Sequence, residues 1–124
     1  MAHGLVIVVG EDWESQMQSH CIYREDGTEG EGQFDWCEIG GGFGKPLKLR
    51  QPQPRRGLLR LLGAKARTTQ ARRSEVDVDA LREHFAFAVV ADGQWHEPQS
   101  FDEAKQLLNK TAKDPLLTAV DYHL

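Results

Sequence analysis

The chain has 124 residues, with 40% hydrophobic and 27% charged side chains, which suits one globular domain and excludes a fully disordered chain, a fibrous repeat and a disulfide scaffold. Its net charge of −4 conceals a sorted distribution. Residues 1–44 balance at −8, residues 45–73 at +10 with no acid at all, and residues 74–124 at −6.

Leu5-Val6-Ile7-Val8-Val9 is a continuous apolar run, mostly β-branched, and reads as a strand buried on both faces. It is too short to span a bilayer, and Glu11 and Asp12 follow it at once with no basic segment before it, unlike a signal peptide. With only Cys21 and Cys37 present, the expectation is a cytoplasmic protein with two reduced thiols. Residues 11–33 are polar and acidic, and Met17 to Tyr23 fits a short helix or a strand equally. Phe34 to Ile39 predicts a second strand, with Phe34 and Trp36 on one face and Cys37 and Ile39 on the other. Gly40-Gly41-Gly42 ends it.

The basic segment 45–73 follows as an insertion or loop. Pro46, Pro52 and Pro54 limit regular structure, and Leu58, Leu61 and Leu62 suggest a short helix at about 57–67. Ser74 has the chemistry of a helix N-cap, with Val78, Leu81 and Phe85 on one face of the helix it would start. Phe85 to Ala91 alternates Phe85, Phe87 and Val89 against Ala86, Ala88 and Val90, which predicts a central strand. Asp92-Gly93 is a two-residue hairpin turn that pairs Val90 with Trp95 and Val89 with His96. Ser100 and Glu103 form a capping box for a helix with the stripe Phe101, Ala104, Leu107, Leu108 and Ala112. Pro115 stops it, and Leu116 to Leu124 reads as a last strand. The result is a single α+β domain over residues 1–124: a mixed or mostly antiparallel sheet with helices on one face, the ferredoxin-like arrangement being the nearest simple topology.

Each candidate chemistry has a plainer competitor. Ile39-Gly40-Gly41-Gly42-Phe43-Gly44-Lys45 invites a phosphate-loop reading, but the first glycine is missing and Pro46 stands where a hydroxyl is needed, so a tight turn or close backbone crossing is preferred. His20, Cys21, Cys37, His84, His96, Asp121 and His123 show no short ligand spacing, and His3 reads as an exposed terminal residue, so neither metal nor cofactor is expected. Asp121 and His123 lie two apart on one strand face and, with His96, are the candidates for a general-base site of a small hydrolase or transferase. Trp95 either offers a contact surface or covers Ala86 and Ala88; Trp13, among acids, is a further contact candidate.

The basic segment is the largest signal. Arg50, Arg55, Arg56, Arg60, Lys65, Arg67, Arg72 and Arg73 favour phosphate or carboxylate, although the aromatic interleaving of single-strand binders is absent. Such a segment binds an anionic partner or folds back onto its own acidic body. Its apolar face is too small for a membrane helix. The expectation is a non-enzymatic binding protein that meets a protein or nucleic acid through this segment.

Phe34-Asp35-Trp36, Ile39-Gly40-Gly41-Gly42-Phe43-Gly44, Ala91-Asp92-Gly93-Gln94-Trp95-His96-Glu97-Pro98 and Thr118-Ala119-Val120-Asp121-Tyr122-His123 together resemble a set of small proteins of bacteria and their phages that have no established function. The resemblance covers about half of the chain in separated pieces. It implies a shared fold and favours a phage or mobile-element accessory role, and it carries over no activity and no catalytic residue.

Overall fold

In the computed structural model, which describes residues 3–22, 32–50, 67–110 and 113–123, the first apolar run becomes strand β1 (His3–Val9). Residues Leu5 to Val9 are buried without interruption, because both faces of the strand are covered. The sheet runs in the order β2 (Trp36–Ile39), β8 (Leu116–His123), β1, β6 (Ala88–Ala91), β7 (Gln94–His96). β1 pairs parallel with β6 and antiparallel with β8. The outer edge of β8 is divided: β2 pairs with its end and β5 (Gln70–Arg72) with its start. A separate two-stranded ladder joins β3 (Leu47–Lys48) to β4 (Arg67–Thr68). The protein is thus an α+β domain with a mixed sheet.

The sheet does not follow the ferredoxin-like connection. There a strand is inserted between the two parallel strands of the first crossover, whereas β1 and β6 are direct neighbours here. Nor do the helices gather on one face. α2 (Phe101–Asn109) and a 3₁₀ segment (Val78–His84) place Phe101, Ala104, Leu108, Val78 and Leu81 against Leu5, Ile7, Val89 and Leu117. On the opposite face, α1 (Trp13–Gln18) places Met17 against Val6, Val8, Val90 and Val120. Odd and even residues of β1 therefore feed separate cores, as the period of two demands. Each fully buried aliphatic side chain contributes about 1.5–3 kcal/mol.

Local signals translate directly. Asp92 (φ 53°) and Gly93 (φ 75°) make the hairpin turn, and Val89–His96 and Val90–Trp95 pair as expected. The Ser100 hydroxyl accepts from the Glu103 amide at 3.2 Å, while the Glu103 carboxylate accepts from the Gln99 amide at 2.9 Å. The stripe's Ala112 lies outside the described residues. Three expectations change. Ser74 caps no helix: its amide and hydroxyl donate to the Asp114 carboxylate at 2.8 and 2.6 Å, which holds that carboxyl below the usual range. The strand expected from Phe85 begins only at Ala88, although Phe85, Phe87 and Val89 do share one core. Phe34 and Trp36 part company: Phe34 is buried in the α1-side core, whereas Trp36 is 49% exposed on the other face. Pairing with β8 starts only at Trp36, so Phe34 does not share β2's alternation.

Phe87 is 5% exposed and packs edge-on against Phe85 and Phe101, at 5.6 and 6.4 Å between centroids. Phe87→Ala is expected to cost about 3–5 kcal/mol in denaturant unfolding; a midpoint that barely moves would place Phe87 outside the core.

Candidate functional site

At one end of the sheet, the β1–β8 register sets His3 opposite His123 and Leu5 opposite Asp121. Cross-strand partners point to the same face, so His3, Asp121 and His123 converge. The Asp121 carboxylate is 2% exposed. Its Oδ1 lies 3.1 Å from His3 Nδ1, and its Oδ2 lies 3.7 Å from His123 Nε2. The Gly42 amide donates to Oδ2 at 2.7 Å.

The glycine run makes this contact possible. Gly41 to Phe43 form a 3₁₀ turn folded over Asp121. Gly41 sits at φ +50°, and a Cβ there would lie 2.4 Å from Asp121. Only glycine passes so close to a buried carboxylate. The glycine run is therefore a close backbone crossing over Asp121, with one amide, that of Gly42, donating to its carboxyl.

Aromatic rings flank the imidazoles. Trp36 meets His123 edge-on at 4.5 Å, His123 stacks on His3 at 5.4 Å, and Phe43 lies 5.5 Å beyond His3. His3 keeps 47% of its side chain exposed, so the cluster opens to solvent on that side.

Of the residues singled out by sequence, Asp121 and His123 are thus brought together, and His96 is not. The hairpin fixes His96 opposite Val89 on β7, with β6 and β1 between it and β8. There it lines a groove with Glu103, Leu107 and Lys110 of α2. His3, read as an exposed terminal residue, is the member that sequence reasoning missed. Its signal lies in the register of β1 on β8, which local spacing does not contain. Trp95 is half-buried against the core that holds Ala88, packed on Tyr122 at 5.0 Å and near Phe34 and His20, while Ala86 is exposed. Trp13 is half-buried against the same core.

The basic segment enters the fold at both ends. Leu47 is fully buried, Ala71 is buried on β5, and the Arg50 amide donates to the Glu75 carbonyl at 2.8 Å. Arg67 pairs with Glu83 at 3.0 Å, which holds that carboxyl below its ordinary range, and Arg72 pairs with Glu11. Arg73 is half-buried. Arg55, Arg56, Arg60 and Lys65, with most of the helix expected at 57–67, lie outside the described residues. Cys21 and Cys37 are free thiols. Burial pushes the Cys37 thiol up to about 11, with Cys21 and Glu14 adding to the effect.

No family model matches this chain, and no curated protein or solved structure does either. Among the described residues, no helix is long and apolar enough to cross a membrane.

Two outcomes follow. Gly41→Ala is expected to lose at least about 2 kcal/mol of stability, because a left-handed backbone and a clash with Asp121 add together. Gly42→Ala, whose Cβ would stay 3.4 Å from Asp121 Oδ2 and His3, should lose clearly less in the same denaturant titration. Cys37 should alkylate at pH 8 roughly a hundredfold more slowly than a free thiol, since the thiolate reacts. The raised folded-state value also means that stability contributed by the protonated thiol is present at neutral pH. It is lost as pH rises from about 9 towards 11.

Proposed function

We propose that the protein is a binding protein, without catalysis of its own, that contacts an anionic partner through the basic segment 45–73. The observation that carries this reading is the β3–β4 ladder, in which Lys48 and Arg67 are cross-strand partners. The chain between them leaves and returns at one place on the body. Arg50, Arg55, Arg56, Arg60 and Lys65 fall on that excursion, which contains no acid. Two cations directly opposite on a ladder repel, so a base of this kind favours counter-charge. Glu83 supplies part of it at Arg67. Nucleic acid and an acidic protein surface both carry the charge such a segment attracts. The resemblance to phage proteins fits an accessory role of this sort.

The alternative is a small hydrolase or transferase built on Asp121, His123 and His96. It is less well supported, because His96 lies across the sheet and, among the described residues, the polar groups facing the Asp121 carboxyl are two imidazoles and a backbone amide. None of these is a serine hydroxyl or cysteine thiol of the kind an Asp–His pair activates.

The test replaces residues 52–65 with a short Gly-Ser linker and measures binding to labelled duplex DNA and to heparin. The variant should keep its thermal midpoint, since loop length alters stability only weakly, and should lose binding. Wild-type affinity should fall steeply between about 50 and 200 mM salt. Binding that ignores salt, or that survives in the variant, overturns the assignment.

A further inference from the structure

We infer that His3, Asp121 and His123 form a binding site for a first-row divalent transition ion of the zinc class. This inference is independent of the basic segment.

The donor set is two imidazole nitrogens and one carboxylate, a combination that zinc accepts with a further position left for water or ligand. The ligand atoms all lie within 4.8 Å of one another. Two donors held at zinc distances around a tetrahedral ion stand roughly 3.4 Å apart. The 3.1 Å from His3 Nδ1 to Asp121 Oδ1 and the 3.7 Å from His123 Nε2 to Asp121 Oδ2 lie either side of that value, with one imidazole at each carboxylate oxygen. Side-chain adjustments of a fraction of the existing spacing therefore close the triad on an ion.

Charge points the same way. Asp121 is 2% exposed, and among the described residues no lysine or arginine pairs with it. Its cross-strand neighbour on β2 is Glu38, a second carboxylate. Like charges directly opposite on a sheet repel, and a buried carboxylate is costly unless a cation or hydrogen bonds compensate it. The Gly42 amide supplies one such bond, to Oδ2. It also fixes the carboxylate's orientation, as outer partners do at metal sites. The rings of Trp36 and Phe43 screen two flanks of the imidazole pair, and the exposed side of His3 leaves a path for entry.

The experiment titrates untagged, chelator-treated protein with Zn²⁺ by calorimetry and with Co²⁺ by visible absorption and tryptophan fluorescence. One ion should bind per chain, raise the thermal midpoint and, as Co²⁺, quench Trp36, whose ring lies 4.5 Å from that of His123. In Trp36→Phe the quenching should largely vanish while binding persists. His123→Gln is the deciding variant, because a chelate between the chain's amino group and His3 would survive it. Both His123→Gln and His3→Gln change partly exposed side chains, so folding should be retained, as circular dichroism will show. Each should weaken Zn²⁺ binding at least tenfold. Absence of binding by the wild-type chain, or unchanged affinity in folded His123→Gln, overturns the site and leaves His3 as a hydrogen-bonding partner of Asp121 with His123 stacked beside it.

Discussion

The pairing of β1 with β8 is the interaction on which the rest of the molecule depends. Seven residue pairs, from His3–His123 to Val9–Leu117, join the two ends of the described chain. Every other strand of the main sheet attaches to one of these two or to β6, which itself pairs with β1. Both faces of β1 are covered, so its register is strongly specified: a slip of one residue would exchange the two cores. The same register that puts Leu5 and Leu117 on the α2 side puts His3 beside His123 and Asp121. Core and candidate metal site are thus two products of one alignment.

Electrostatics is organised around the same frame but acts more weakly. The sorting of charge along the sequence becomes partial neutralisation in space, with Arg72 on Glu11, Arg67 on Glu83 and Lys105 on Asp79. Exposed pairs such as these contribute little individually. Arg67 and Arg72 tie the C-terminal end of the basic segment to acidic side chains, while the Lys105–Asp79 pair lies outside it. Asp121 is different in kind: it is buried, and the groups around it are imidazoles and a backbone amide rather than fixed cations.

What was legible in the sequence was local. The Asp92–Gly93 hairpin and the Ser100–Glu103 cap are written within a few residues, and the run Leu5–Val9 announces its own burial. Ser74 carries the same local chemistry as Ser100, yet Asp114, distant in sequence, claims its amide and hydroxyl. Phe34 and Trp36 alternate correctly on paper, but Phe34 lies before the strand pairing begins. Two of the three residues of the candidate site, Asp121 and His123, could be read from a spacing of two. His3 could not, because its hydrogen bond to Asp121 spans 118 residues. The glycine run was readable as a tight turn or close backbone crossing, while the group it crosses, Asp121, depended on which strand the turn folds over.

That span has a kinetic meaning. Contacts so distant in sequence carry the largest loop-closure entropy and form slowly unless earlier structure brings their ends together. The hairpin of β6 and β7 and the helix α2 can organise from neighbouring residues as the chain emerges from the ribosome. β8 is synthesised after all of them, and until it docks, β2 and β5 have no partner in the sheet. The histidine–aspartate cluster therefore exists only once β8 has docked on β1. An ion held there would engage finished molecules alone, acting as a latch on the completed sheet instead of a template for its formation.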